Sequence, residues 1–409
     1  MNKYKVVLMS LILQTIGIAG NLISRIVFGN FLSEEEFGVY NILILMPNLL
    51  ALLVNIGMGH AISIKSARSK IISINLIKII YLYSLIIGGI TSIVGGYIFQ
   101  EIYNDIHIPL IIIGSTLTTI FLLNYLLSFL FLGLQKSNIY FLSTNLVHML
   151  SPLIFIIIII MFNVNIYSAV LAYSIALLLV TLFLKWKLYR NKDVIRKNEI
   201  KMTEEFKELA SLGLPLYFTS LFNFLNYRID TFIIGAMLSF ALLSNYTIAV
   251  LFIDSVGKIN QIINILIFQK TPTITSEKKK EKLMAQGVII SMFICSVASL
   301  ILVIFGRQLI SIIFPGKFEL AYQIILYLIP GMFFISLFRI VYHRLAADGY
   351  GKYSSIGSLI CVIFTIVFNL VLIPIYGITG SAIASSSAYF IMFLYIIFIY
   401  FKVRRRFYL

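Results

Sequence analysis

Cysteine, tryptophan and acidic residues are all scarce. Among 409 residues there are two Cys, one Trp and 16 Asp plus Glu. Cys295 and Cys361 both lie inside apolar runs. Two isolated thiols build neither a disulfide framework nor a spaced metal-ligand set, so they read as small hydrophobes in helix packing. Charge of either sign fills only 12% of the chain, about half the share of a soluble domain. No Ser-His-Asp set, no paired catalytic carboxylates and no metal-ligand spacing appear, so the chain reads as no enzyme. The net charge of +16 does not point to nucleic acid, because the cations sit in short connectors between apolar runs and no zinc-finger or RNP motif accompanies them.

What is present is apolar: 60% of the residues are hydrophobic. One soluble core cannot hide that excess, so the surrounding solvent must be lipid. Runs of about 20 apolar residues cross a bilayer as helices. The expected spans are 5–32, 38–64, 72–99, 109–133, 139–162, 167–187, 212–238, 244–269, 285–306, 322–343, 354–374 and 379–402. The runs are too long and too uniformly apolar for the alternating strands of a membrane β-barrel. The first run is too long for a signal peptide and lacks a convincing cleavage site, so it reads as a retained span.

Connector charges orient the spans. With the N-terminus inside, the outward links carry Glu34, Glu35, Glu36, Glu101, Asp105 and Glu319, against Arg307 and Lys317. The inward links carry Lys65, Arg68, Lys70 and Lys136, eight Lys or Arg between 185 and 207, Lys278 to Lys280, Arg344 and Lys352. Lys402, Arg404, Arg405 and Arg406 close the chain. This positive-inside bias predicts an all-α polytopic membrane protein of about twelve transmembrane helices, both termini cytoplasmic. Residues 1–187 form a first six-helix lobe and 212–409 a second. The basic link 188–211 joins them and ends in an interfacial helix at 203–213, where Phe206, Leu209 and Leu212 have helical spacing.

The two lobes repeat. A shift of 206 residues superimposes Gly29 on Gly235, Leu32 on Leu238, Ser33 on Ser239 and Tyr40 on Tyr246. QKSNIYFLS (135–143) echoes GKYSSIGSL (351–359), and SAVLAYS (168–174) echoes SAIASSS (381–387). Six spans per half keep both copies in one orientation, so the lobes are pseudo-symmetric about an axis along the membrane normal.

Charges inside apolar runs are the candidate functional groups, because each costs roughly 2.5–3.5 kcal/mol to insert at a helix centre. The cations are Arg25, Lys78, Arg228, Lys258 and Arg339, and the acids are Asp230 and Asp254. Arg25 and Arg228 each sit in the first span of a lobe. They either snorkel to head groups or line a shared aqueous cavity, where a guanidinium pair suits a diphosphate. Asp254 and Lys258, at i and i+4, are either a structural ion pair or a coupling site at which Asp254 takes up a proton or cation. Asp230 projects away from Arg228. Lys78, Arg339 and His343 lie near inner ends and can snorkel. His60, in NIGMGHAIS, and His148 are polar cavity candidates or packed polar residues. Pro47, Pro152, Pro215 and Pro330 fall within spans and can kink them.

The pattern R-x-x-x-G-x-x-L-S-x-x-x-x-G-x-Y from Arg25 to Tyr40, its counterpart from Arg228 to Tyr246, and IYGITGSAIASSSAYF (375–390) resemble the MOP flippase superfamily. Within it the likeness is to the Wzx-type polysaccharide-biosynthesis flippases, and it covers essentially the whole chain. That resemblance implies flipping of an undecaprenyl-diphosphate-linked oligosaccharide, an O-antigen, capsule or other surface unit, across a bacterial cytoplasmic membrane by alternating access. Arg25 and Arg228, with Arg339, then stand as substrate-binding cavity cations. The partners implied are the lipid-linked substrate, the bilayer and polysaccharide polymerase machinery. No cofactor is called for, although family members are often coupled to a proton or sodium gradient. A MATE-like exporter of small, often cationic molecules is the alternative, weakened by the excess of intramembrane cations. A glycan polymerase or ligase would need a substantial outward loop, and the outward links are short.

Overall fold

The structure is a computed structural model that describes residues 3–190, 195–196, 201–271, 274 and 276–408. Residues 191–194 and 197–200 of the basic link lie outside the described residues, as do the side chains of Arg405 and Arg406. The chain divides into two compact units, Met1–Leu221 and Phe222–Leu409.

Among the described residues thirteen helices form. They are α1 (Lys3–Phe31), α2 (Glu34–Asn55), α3 (Met58–Ser69), α4 (Ile74–Ile102), α5 (Ile108–Gly133), α6 (Ser137–Met161), α7 (Ile166–Arg190), α8 (Met202–Met237), α9 (Phe240–Lys270), α10 (Glu277–Ile313), α11 (Leu320–Ala347), α12 (Lys352–Tyr376) and α13 (Ile378–Tyr408). Every expected span corresponds to a helix, and the second is divided between α2 and α3. Ten of the helices are long and apolar enough to cross a membrane. Among the described residues the short α3 and α8 stand outside that group. In α8 the polar residues Asn223, Asn226, Arg228 and Asp230 dilute the apolar stretch. The outer surface is hydrocarbon: Ile93, Ile160, Phe293 and Ile312 are largely exposed, as lipid-facing side chains should be.

The duplicated motif folds the same way twice. Ser33 ends α1 and caps α2, accepting a hydrogen bond from the Glu36 amide in a capping box; Ser239 caps α9 by accepting from the Leu242 amide. The caps share one extended conformation, φ −64° and ψ 163° against φ −69° and ψ 153°. Leu32 and Leu238 both close the preceding turn, onto the Phe28 and Ile234 carbonyls. Tyr40 and Tyr246 are both buried. A Ser at the cap satisfies an orphan amide donor, which is why the frame persists while the residues around it differ.

In the first unit α1 packs on α6, α4 on α5, α2 on α5 and α6 on α7. The break between α2 and α3 falls at Ile56 (φ 47°) and Gly57 (φ 74°), in left-handed conformation, and not at Pro47, which sits inside a continuous α2. A break inside a bilayer must satisfy the carbonyls it frees. Tyr83 donates to the Val54 carbonyl, and Tyr217 to that of Leu53 at 2.9 Å. The Asn55 side chain accepts from the Gly59 amide at 3.2 Å. A Cβ on Gly57 would stand 2.0 Å from the Gly213 carbonyl oxygen, so both positions must be glycine for the backbones to touch.

The expected interfacial helix at 203–213 is the first part of α8 and runs without interruption into the span. Its packing explains this. Leu209 is fully buried in the core cluster with Ile80, Leu127 and Phe131, and Phe206 lies against Tyr83. Glu205, also fully buried, meets Lys65 at 3.1 Å and accepts from Ser73 at 2.7 Å. Two short strands, Ile72–Ser73 and Ile195–Arg196, pair in parallel beside it. The sequence pattern did not anticipate that ladder. In the second unit α11 and α12 pack on α13, and α9 packs on α11.

Candidate functional site

The intramembrane charge is concentrated in the second unit. Helical periodicity gathers it there. Asn223, Asn226 and Tyr227 share one face of α8, and Asp254, Lys258 and Gln261 share one face of α9, at spacings of three and four residues. Phe338, Arg339, Tyr342 and His343 do the same on α11. These faces enclose a cavity of about 520 Å³, within the usual range of small-ligand sites. Ser354 and Ser358 of α12 complete its wall.

Arg339 is placed by Tyr227. Its guanidinium donates to the Tyr227 hydroxyl and lies 5.2 Å from the centre of that ring. The aromatic face stabilises the cation while leaving its planar donor set on the lining. Gly257 lies beside it, where even an added Cβ would only touch Arg339 Nη1 at 3.5 Å. Lys258 lines the same space.

Arg228 is not on that lining. Its Nη2 lies 3.7 Å from Asp254 Oδ2, and Asp254 is on the wall, so the pair neutralises one positive charge at the cavity edge. Arg339 and Lys258 remain as the lining cations. Asp230 occupies a deeper recess that shares Tyr227, Asp254, Gly257, Ile335 and Arg339 with the main cavity. Its carboxylate accepts from Tyr246, from the Thr231 amide at 2.7 Å and from Ser385 at 3.4 Å. Three donors are what a buried carboxylate requires.

Two amide groups stand out. Asn226 is 6% exposed and Asn264 1%, both contribute to the cavity wall, and the Oδ1 of each has no hydrogen-bond partner among the described residues. A buried acceptor left unsatisfied costs about 1–3 kcal/mol. Of the neighbouring amides, Asn223 accepts from Ser358 at 2.9 Å; Asn260, off the cavity lining, donates to Ser336 at 3.2 Å and shares the unsatisfied Oδ1.

The first unit has a smaller cavity of about 240 Å³ whose lining carries no Asp, Glu, Lys or Arg. His148 lies on it, with Asn48, Tyr125, Tyr140 and Tyr173. Its polar groups largely find partners: Asn124 donates to Thr181 at 3.1 Å, Ser128 and Ser143 share a bond of 2.9 Å, and Asn48 and Thr144 donate to backbone carbonyls. His60 meets Ser220 at 2.9 Å and the edge of Phe129 at 4.8 Å between ring centres. Arg25 donates to Asn41 at 3.1 Å, bridging α1 and α2. Lys78 is exposed near the start of α4.

Of the residues singled out by charge, the second unit therefore brings Arg339, Lys258 and Asp254 onto one cavity, with Asp230 behind it and Arg228 on Asp254. Arg25, His60 and His148 occupy separate places in the first unit. Charge alone missed Tyr227, Tyr246, Ser385 and the amides Asn223, Asn226, Gln261 and Asn264. Apart from Ser385, which lies in span 12, their signal was present as helical spacing of neutral polar residues within spans 7 and 8. It also missed a network in which Arg344 meets Glu277 at 2.7 Å and also Asp348, while Lys280 meets Glu277 at 2.8 Å and Asp348 at 3.1 Å. That network ties α10 to the end of α11. Among the described residues no group of three or more His, Cys, Asp or Glu could hold a metal ion.

The chain matches the sequence profile of a family described as polysaccharide biosynthesis protein over residues 5–264. No curated protein sequence matches significantly. The fold is similar to that of the lipid II flippase MurJ in an inward closed conformation, with TM-score 0.76, 17% identity, and coverage of 96% of this chain and 87% of that chain. It is also similar to the inward-facing conformation of a multidrug resistance MATE family transporter of the MOP superfamily, with TM-score 0.75, 14% identity, and coverage of 97% and 99%. A MOP superfamily transporter from Pyrococcus furiosus, described by a reverse polarity of its binding pocket, aligns with TM-score 0.64, 15% identity, and coverage of 98% and 95%. At these identities the likeness is one of fold.

Proposed function

The chain belongs to the polysaccharide biosynthesis protein family and is a multi-pass membrane protein with the fold of MOP-superfamily transporters; from that premise we propose that it flips a polyprenyl-diphosphate-linked oligosaccharide across a bacterial cytoplasmic membrane. The observation that carries this reading is Arg339, a cation on the wall of a polar cavity inside an otherwise apolar helical unit. A lipid-linked glycan has an apolar tail, an anionic diphosphate and a hydroxyl-rich head. The tail suits the hydrocarbon outer surface, and the other two suit the cavity. Arg339 and Lys258 attract the diphosphate, and the tyrosine stack fixes the guanidinium so that little rotamer freedom is lost on binding. Asp230, held by Tyr246 and Ser385 in the recess behind, is the group placed to exchange a proton or cation as the cavity opens and closes.

The test is transfer of undecaprenyl-diphosphate-linked glycan between leaflets of proteoliposomes. Hydrogen bonds to a charged group contribute about 1.5–3 kcal/mol, so Arg339→Ala should slow transfer by roughly tenfold to a hundredfold. Equal rates for Arg339→Ala and wild type would remove Arg339 from the mechanism. A second reading, export of a small organic cation, is favoured by Asp230 and Asp254 beside the same space. Export of a cationic dye together with no transfer of any lipid-linked glycan would establish that reading in place of the first.

A further inference from the structure

We infer that the second-unit cavity recognises the sugar next to the diphosphate, and that Asn226, Asn264 and Gln261 are specificity-determining residues for it. This rests on the flippase reading above. The two cavities differ in a way that selects between them as the sugar site. The lining of the first unit carries no fully ionised side chain, and its amides and hydroxyls have partners in neighbouring side chains and backbone carbonyls. The lining of the second unit includes Asn226 and Asn264, nine-tenths or more buried, each with an amide oxygen that finds no partner among the described residues.

Hydroxyl and acetamido groups are the chemistry that completes such a wall. An Asn side chain offers two donors and one acceptor, and its terminal torsion is broad. A rotation about that torsion therefore turns the unsatisfied oxygen from the protein towards a ligand. A sugar ring carries donors and acceptors at short, fixed intervals. Asn264 and the exposed Gln261 lie one helical turn apart on α9, and Asn226 faces the same space from α8. Tyr342 and Phe338 add aromatic surface for the apolar edge of the ring. Arg339 stands on this wall, so a sugar held by the amides has its anionic linkage within the same cavity. Sites built from polar groups discriminate strongly, because a substrate lacking the partner leaves those groups unpaired.

The experiment compares three probes in proteoliposomes: undecaprenyl diphosphate, the same lipid bearing one hexose, and the same lipid bearing one N-acetylhexosamine. Wild type should move at least one sugar-bearing lipid faster than the bare one. Asn226→Ala with Asn264→Ala should lower that preference, the ratio of sugar-bearing to bare-lipid rates, by at least about tenfold. Gln261→Ala, at an exposed position that tolerates truncation, should lower it in the same direction and serves if the double variant does not insert. An unchanged preference in Gln261→Ala and in whichever amide variants insert overturns the inference while leaving the flippase reading intact. Equal wild-type rates for all three lipids also overturn it. Transfer of none of them overturns both.

Discussion

Arg228 and Asp254 form an ion pair whose members come from consecutive helices. At the edge of the cavity the pair is only partly exposed, and it matters more through the penalty of breaking it than through its own attraction. Arg228→Ala should therefore lower membrane insertion and thermal stability. Adding Asp254→Asn to that variant should restore much of the loss, because the orphaned charge is gone; melting of the purified variants in detergent reads both effects. Tyr246→Phe removes one of three donors to Asp230 and should destabilise the second unit by about 1–3 kcal/mol, seen as a lower melting midpoint. These charges were legible in the sequence because an Arg or Asp interrupts an apolar run visibly. Their partners were not. The expected companion of Arg228 was Arg25, by position in the repeat, whereas the structure gives Arg228 an acid in the next helix and Arg25 an amide at Asn41. The lining amides stayed hidden for another reason: Asn and Gln do not break a helical run, so only their spacing carried information.

At the scale of elements, the glycines at helix ends separate two kinds of constraint. Gly57 and Gly316 both have φ near +70°. Gly316 has open space around its Cβ position, whereas Gly57 faces a carbonyl oxygen at 2.0 Å. Gly316→Ala should cost only the strain of the left-handed conformation, about 1–2 kcal/mol. Gly57→Ala should add a backbone collision and reduce folded yield severely, as size-exclusion profiles of the two variants would show. The N-caps give a milder test: Ser33→Ala and Ser239→Ala should each cost about 0.5–2 kcal/mol, with similar melting shifts because the two caps share one geometry. Helix existence was readable from apolar run length. The α2–α3 break was hinted at by NIGMGH, but its location depends on tyrosines from α4 and α8 that supply the missing donors. The continuity of α8 was not readable. Glu205 and Leu209 look like residues for a membrane surface until Lys65, Ser73 and the first-unit core are brought to them.

For the whole molecule, topology is the quantity to measure. Cys295 and Cys361 are fully buried, so an impermeant thiol reagent should leave the native chain unlabelled in intact cells. That gives a silent background for single-cysteine reporters. Asn104→Cys, in the exposed link between α4 and α5, should label from outside. Lys201→Cys, just before α8, should label only after permeabilisation. The reverse pattern would invert the orientation that the connector charges imply. The helices themselves were the most legible part of the fold, because apolar run length depends on composition and not on which side chains meet.

The contact between Gly57 and Gly213 also bears on how this chain can change over generations. Most packed pairs drift by exchange, one side chain growing as its neighbour shrinks. Here both partners already have the smallest possible side chain, so neither can compensate for the other. Descendants of this gene can rework the cavity wall, yet mutational drift has no neutral path through this crossing of backbones.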